Sequence, residues 1–381
     1  VEDEEMLEEL LEPLQYPQNR HVTNQNGEAV RKVISEIVIL IGAVDNNRSR
    51  QVFHSVFQRA KELIYIDSGN SKASGQVICG VNTAAPGFAS ADSKGQWTGL
   101  DVDTCRAVAA AVLGDAQKVK FVPLSSPQRF TALQSGEIDI LSRNTTWTLT
   151  RDASQGAVFA AINYYDGQGF MVPKKLGVKS AKQLNGATVC LQSGTSSVQA
   201  MADYFAANNM KYKPVMFDTT EATQSAFISG RCQVYTTDMS DLAGARTRAR
   251  NPADFEILPE TISKEPLGPS VRRGDDEWFQ IVRWSFYAMV EAEENGITKA
   301  NVDQIRASSK VPQVMRLVGT GDDTGKLLGL DKDWSYRIIK QVGNYGESWT
   351  ANFGPSTKLN LPRGLNNLWT KGGVMYVPPI R

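Results

Sequence analysis

Histidine is scarce and confined to the start: the chain has two, His21 and His54, so residues 55–381 contain none. That removes Ser-His-Asp, Cys-His and His-ligated metal chemistry from most of the length. Net charge is missing too, with 41 Lys+Arg against 41 Asp+Glu. A nucleic-acid binder or a protein held on an anionic membrane surface needs a basic excess, and neither partner is expected here. Long apolar runs are also lacking. The longest, residues 37–44, falls far short of the ~20 residues that cross a bilayer as a helix. The four cysteines, Cys79, Cys105, Cys190 and Cys232, contain no CxxC spacing of the kind that marks zinc or a redox dithiol. No metal site and no cofactor is expected.

What is present is an ordinary folded composition, 41% hydrophobic and 22% charged over 381 residues, enough for two domains or slightly more. The opening VEDEEMLEELLEPL is acidic, with Met6, Leu7, Leu10, Leu11 and Leu14 spaced for one helical face. Residues 37–44 read as a buried strand, 48–62 as a helix and 63–67 as a second strand, one β-α-β unit. The small polar run SGNSKASG at 68–75 then signals a linker. From residue 76 short strands alternate with helices: VICGVN, a helix over 101–113, VKFVPL, a helix over 127–135, and IDILSRN. A second set repeats that order: ATVCLQ, a helix over 196–208, PVMFD, a helix over 221–229, and CQVYTTD. The pattern predicts an α/β fold of open, mostly parallel sheets. Extended stretches at 164–175 and 262–278 read as two crossovers between two lobes. They imply a hinge and a cleft at the carboxyl ends of the strands.

In the N-terminal piece, VILIGAVDNNRSRQVFHSVFQRAKELIYIDSGN resembles a fragment of the ThiF and E1-like adenylate-forming family, with Asp45, Asn46 and Arg50 in the family's pattern. Only Gly27 and Gly42 precede Gly69, so no Gly-rich turn is available to cradle phosphates. A structural or fused α/β segment is the expectation for residues 1–74, and an adaptor or adenylation-linked role is the alternative.

The remainder carries GLDVDTCRAVAAAV, RFTALQSGEIDILSRNTTWTLTRD, VCLQSGTSS, GRCQVYTTD, ISKEPLGPSVRRGDDEW and TKGGVMYVPPIR. In order and spacing these resemble the periplasmic amino-acid-binding proteins of ABC importers, solute-binding family 3, and most of all the general L-amino-acid-binding type. The resemblance implies a two-lobed type II periplasmic-binding-protein fold joined by a two-strand hinge. Lobe 1 would comprise 75–168 with 268–381, and lobe 2 would comprise 169–267.

It also implies a site for a zwitterion. Arg151 matches the family's carboxylate-binding arginine, whose planar fork holds two oxygens, and Thr146 matches a residue that donates to the same carboxylate. Gly194, Thr195 and Ser196 would offer amides at a helix start, although Thr195 or Ser196 could simply cap that helix. Asp238 matches the aspartate that pairs with the α-ammonium, and Asn144 a position that assists through its main chain. A capping role is the alternative for Asp238. Asn82 stands where relatives with basic ligands carry Asp, which suggests a broader ligand range. Phe88 and Trp147 either pack on the ligand or belong to the lobe core.

The cysteines fall two to a lobe under this resemblance, Cys79 with Cys105 and Cys190 with Cys232. Bridges there would close loops of roughly 25 and 40 residues, worth roughly 3 to 4 kcal/mol each, and point to the periplasm. Four free buried thiols are the alternative. No secretory signal pattern precedes Cys79, so a signal was removed or replaced, or the N-terminal piece is a fusion. The expectation is a monomeric, non-enzymatic receptor that closes on a free L-amino acid and docks on a membrane ABC permease. A dehydratase-like enzyme on the same fold is the alternative.

Overall fold

The computed structural model describes residues 75–381 and, ahead of them, the backbone of two short strands. These strands, β1 (Ile39–Ile41) and β2 (Ile64–Ile66), pair in parallel with Ile39 opposite Ile64. Parallel neighbours need a crossover between them, as a β-α-β unit provides. The expected helix over 48–62, the acidic opening helix, and Asp45, Asn46 and Arg50 lie outside the described residues. The chain divides into two compact units between Gln76 and Val77.

The second unit opens with β3 (Val77–Val81) and a small hairpin, β4 (Ser90–Ala91) with β5 (Trp97–Thr98). Then come α1 (Leu100–Leu113), β6 (Val119–Pro123), α2 (Arg129–Ser135), β7 (Ile140–Leu141), α3 (Leu149–Ser154) and β8 (Ala157–Phe159). A long strand, β9 (Tyr164–Pro173), leads to β10 (Thr188–Gln192), α4 (Ser197–Ala207), β11 (Lys213–Phe217), α5 (Thr220–Ile228), β12 (Val234–Asp238) and α6 (Met239–Arg248). After β13 (Phe255–Ile257), β14 (Ser263–Leu267) and β15 (Ser270–Arg272) follow the helices α7 (Asp276–Glu294), α8 (Val302–Ser308), α9 (Pro312–Leu317), α10 (Trp334–Gln341) and α11 (Tyr345–Phe353).

The strands form two principal sheets. The first has the order β6-β3-β7-β15-β8, and the second has the order β11-β10-β12-β9-β13 with β14 also on β9. In each, the three strands of one α/β set run parallel with the first strand in the middle. The sheets are nonetheless mixed, because β15 runs antiparallel to β7 and β8, and β9 runs antiparallel to β12, β13 and β14. The antiparallel strands are the ones that carry the chain between sheets.

The chain passes from the first sheet to the second over residues 160–163 and returns over 268–269. Tyr164 pairs with Leu267, so residues 164–168 already belong to the second sheet. At the return, a Cβ on Gly268 would sit 1.9 Å from the Ala161 carbonyl oxygen. Only glycine lets the two crossing segments approach so closely.

Local chemistry fixes the ends of the helices. The Asp275 carboxylate accepts the Trp278 amide at 2.9 Å to start α7. Asn344 and Glu347 cap α11 reciprocally, each side chain accepting the other's amide. The apolar faces then pack: Phe286, Met289 and Val290 of α7 are buried in one cluster with Leu100 and Ala107 of α1 and Ile338 of α10. Each large side chain so buried contributes roughly 1.5 to 3 kcal/mol.

Both expected cysteine pairs are disulfides, Cys79–Cys105 tying β3 to α1, and Cys190–Cys232 tying β10 to the segment before β12. The two sets therefore share a bridge on their first strand. The strand read as IDILSRN is much shorter than its sequence suggests, because Asn144 adopts a left-handed φ of 34° and turns the chain out of the sheet. Helix α7 begins inside the stretch read as extended, at Asp276.

Candidate functional site

A narrow polar cavity of about 20 Å³ lies where the carboxyl ends of the parallel strands of both sheets converge. From the first sheet come Asn82 after β3, Ser126 and Arg129 after β6, and Arg143, Asn144 and Thr146 after β7, with Arg151 on α3. The second sheet contributes Gln192, Thr195, Ser196 and Ser197 at the end of β10, Thr237 and Asp238 at the end of β12, and Asp241 on α6.

Of the residues singled out in the sequence, Asn82, Asn144, Thr146, Arg151, Thr195, Ser196 and Asp238 are brought together here. Gly194 stands at the rim: its carbonyl accepts from Arg129 Nη2 at 2.9 Å. A Cβ on Gly194 would lie 3.1 Å from the Pro127 amide nitrogen, so the backbones of the two sides nearly touch there. Phe88 is not brought in. It is fully buried, 5.0 Å from the rings of both Tyr164 and Phe353. Trp147 likewise turns away and stacks on Phe159 at 5.4 Å.

Arg151 donates through Nη1 to the Thr146 carbonyl at 2.8 Å. Its Nε and Nη2 make no hydrogen bond among the described residues and remain for a ligand. Burial lowers its pKa, opposed by the nearby Glu265 and Asp238. Across the cavity, Asp238 is 6% exposed, and its carboxylate accepts no hydrogen bond among the described residues. Burial, reinforced by Asp166, Glu265 and Asp241, pushes it well above the ordinary carboxylate range. The same burial raises Asp166 to about 7 and Asp241 to about 6. An unpaired buried carboxylate of this kind is an acceptor awaiting a cation.

Asn144 is held by its neighbours. Its amide donates to Asp101 at 2.6 Å, its side-chain amide donates to Asp241 at 3.1 Å, and its side-chain oxygen accepts from Asn82 at 2.9 Å. These bonds fix the left-handed turn and leave the Asn144 carbonyl without a partner among the described residues. Thr195 donates its hydroxyl to Gln192 at 2.8 Å. The amides of Thr195 and Ser196, ahead of α4, make no hydrogen bond among the described residues.

Sequence reasoning missed Ser126, Arg129, Arg143, Gln192, Ser197, Thr237 and Asp241 of the lining, and the carboxylate behind it. Glu265, on β14 and 2% exposed, accepts from the Thr146 hydroxyl at 2.6 Å and from the Ser196 hydroxyl at 2.9 Å, both on Oε2. Thr146 belongs to the first-sheet wall and Ser196 to the second, so one carboxylate oxygen ties the two walls together. The only signal was an acid at an inward position in a stretch otherwise read as a connector.

Residues 77–299 match the model for bacterial extracellular solute-binding proteins, family 3. This chain belongs to that family. It is 56% identical over 310 residues to the glutamate/glutamine/aspartate/asparagine-binding protein BztA of Rhodobacter capsulatus, covering 81% of this chain and 92% of the relative. It is 55% identical to the general L-amino acid-binding periplasmic protein AapJ of Rhizobium johnstonii, with 81% and 91% covered. The solved structure of an ABC transporter periplasmic binding protein from Brucella ovis with glutathione bound matches at a TM-score of 0.79 and 55% identity, over 81% of this chain and 97% of that one. The fold of this family 3 protein is therefore the two-sheet periplasmic-binding-protein type II arrangement that the crossing strands build.

Proposed function

We propose that this family 3 protein is the periplasmic receptor of an amino-acid ABC importer, closing as a monomer around one free L-amino acid and presenting it to a membrane permease. The observation that carries this reading is the opposed pair in one buried cavity: a guanidinium with free N–H groups, Arg151, and a carboxylate with no partner among the described residues, Asp238. A zwitterion satisfies both at once, and exclusion of water strengthens both contacts. The names of the relatives above support the same class of ligand.

In this reading Arg151 and the amides of Thr195 and Ser196 receive the α-carboxylate. Asp238 and the Asn144 carbonyl receive the α-ammonium. Thr146 and Ser196 act through Glu265, which accepts a hydrogen bond from each hydroxyl and fixes the two walls. The two lobes, each built on one of the principal sheets, hinge about the crossings at 160–163 and 268–269. Binding alone accounts for the geometry, and no bond-making step is required of any residue.

A thermal-shift screen of the twenty L-amino acids tests this reading. Stabilisation by one or more of them is expected, since a ligand at 100 times its Kd adds about 2.7 kcal/mol to the folded state. No shift with any of them would overturn the proposal.

A further inference from the structure

We infer that the helical segment 300–381 is a brace on the hinge: Tyr345, Phe353 and Asn366 hold the outgoing crossing and oppose opening of the lobes. The inference rests on the receptor reading above and names positioning residues for its closure. None of the three lines the ligand cavity.

The segment lies beyond residues 77–299, the part of the chain that matches the family. Its helices pack on the first lobe. Ile338 of α10 and Tyr345, Trp349 and Phe353 of α11 are buried in one cluster with Leu100 of α1 and Phe286 of α7. Arg363 anchors the following loop to α7 through its two-pronged pair with Glu293. The same guanidinium donates to the Asn366 carbonyl at 2.8 and 3.2 Å, which fixes Asn366 on that anchor.

From there the segment reaches three successive residues of the crossing. The Tyr345 hydroxyl donates to the Asn163 carbonyl at 3.0 Å. The Phe353 ring lies 5.0 Å from the Tyr164 ring. Asn366 takes both main-chain groups of Tyr165: its side-chain oxygen accepts from the Tyr165 amide at 2.7 Å, and its side-chain nitrogen donates to the Tyr165 carbonyl at 3.0 Å. A neighbouring antiparallel strand exchanges bonds in the same way. No strand does so here, since β12 joins β9 only from Gln168 onward and Pro266, opposite Tyr165 on β14, has no N–H to give.

The placement sets the direction of the effect. Tyr164 and Tyr165 already belong to the second sheet, whereas Asn366 and Tyr345 are carried by helices packed on the first lobe. Rotation about 160–163 and 268–269 must therefore pull Tyr165 from Asn366 or force the pivot past residue 165. Tyr345 is fully buried and Asn366 is 4% exposed, so water does not readily replace the bonds they lose. The closed form keeps contacts that the open form gives up, and an amino acid has less closure to drive.

Small-angle scattering of the full chain, alone and then titrated with an equimolar mixture of the twenty L-amino acids, tests the brace in wild type, Tyr345→Phe, Asn366→Ala and Ser335→Ala. The mixture serves whichever amino acid the receptor prefers. Ser335→Ala is the control: it removes a buried bond within the same segment, from the Ser335 hydroxyl to the Leu317 carbonyl at 2.7 Å, and touches no crossing residue. Without amino acids, Tyr345→Phe and Asn366→Ala should have larger radii of gyration than wild type. The concentration that compacts half of the protein should rise about fivefold in Tyr345→Phe and about 5- to 25-fold in Asn366→Ala, the factors for losing one and two hydrogen bonds. Ser335→Ala should lower Tm and leave both readings at their wild-type values.

Radii and midpoints of Tyr345→Phe and Asn366→Ala equal to those of wild type would overturn the brace, as would a Ser335→Ala protein that opens as far as they do. Should Asn366→Ala fail to fold, Tyr345→Phe, which keeps the ring and loses one oxygen, decides alone. A mixture that compacts none of the four proteins would remove the receptor reading, and the radii without amino acids would still decide the brace.

Discussion

Replacing Glu265 with glutamine should loosen the cavity without touching a residue assigned to the ligand. In the native protein, Oε2 accepts from Thr146 at 2.6 Å and from Ser196 at 2.9 Å, and the Ser263 hydroxyl bonds Oε1. Glutamine offers one carbonyl oxygen and an NH₂ group that cannot accept, so at least one side of this three-hydroxyl arrangement loses its acceptor. A hydrogen bond to a charged group is worth about 1.5 to 3 kcal/mol. Even with its carbonyl at the Oε2 position, glutamine turns both ties between the walls from charge-assisted into neutral hydrogen bonds, so the loss falls on the closed arrangement. A penalty of about 2 kcal/mol on closure reduces apparent affinity about 30-fold, because the ligand must bind a less populated state. Titration calorimetry of the best-binding amino acid gives that ratio, and small-angle scattering reads the compactness of the loaded form. A Glu265→Gln protein with a Kd within threefold of wild type and the same scattering curve would refute this account of the hinge carboxylate.

The remaining expectations concern stability and protons. Removing the Cys190–Cys232 bridge by a double serine substitution should cost roughly 4 kcal/mol, from a sequence separation of 42 residues; a loss under about 1 kcal/mol in urea unfolding would contradict the entropic account. Arg363 makes a two-pronged pair with Glu293, at side-chain exposures of 15% and 8%, and also donates to the Asn366 carbonyl at 2.8 Å. Arg363→Ala therefore strands a buried acid and should cost about 3 kcal/mol, visible as a lower Tm, whereas an unchanged Tm would show that the pair is dispensable. Asp238 is raised above its ordinary 3.8 in the empty cavity by burial and three neighbouring acids, and an ammonium ligand would pull it back down. Binding should then release a proton, so affinity rises with pH from the ordinary carboxylate value up to the raised one, by at most one decade per pH unit. Calorimetry in buffers of different ionisation enthalpy measures that proton, and zero release at acidic pH would contradict the pairing.

Much of this architecture was legible because β-α-β order leaves a strong mark. VICGVN and ATVCLQ are short apolar runs followed by helical patterns, and they became β3 and β10, the middle strands of the two parallel sets. Asn144 and Asp238 could be read because they follow or end strands inside a recognisable motif, and Arg151, on α3, because it lies in the same motif as Asn144; all three line the cavity. Phe88 was ambiguous for a physical reason: an aromatic residue beyond a strand exit can turn to either face, and Tyr164 and Phe353, distant in sequence, supply the core that takes it. Glu265 and Ser126 could not be read as members of the site. Their roles depend on partners from other elements, such as Thr146 and Ser196, which only the tertiary fold brings near. Arg129 opens α2 and looks like any polar residue at a helix start until its burial is known.

The most direct test of the receptor reading is the affinity of the best-binding L-amino acid for wild type and for Arg151→Ala, measured by calorimetry with the folded state of both checked by circular dichroism. Loss of the forked carboxylate contact should weaken binding by at least about 100-fold while the empty protein keeps its native spectrum. Binding by Arg151→Ala within about threefold of wild type would mean that the carboxylate lies elsewhere, and would contradict the central claim.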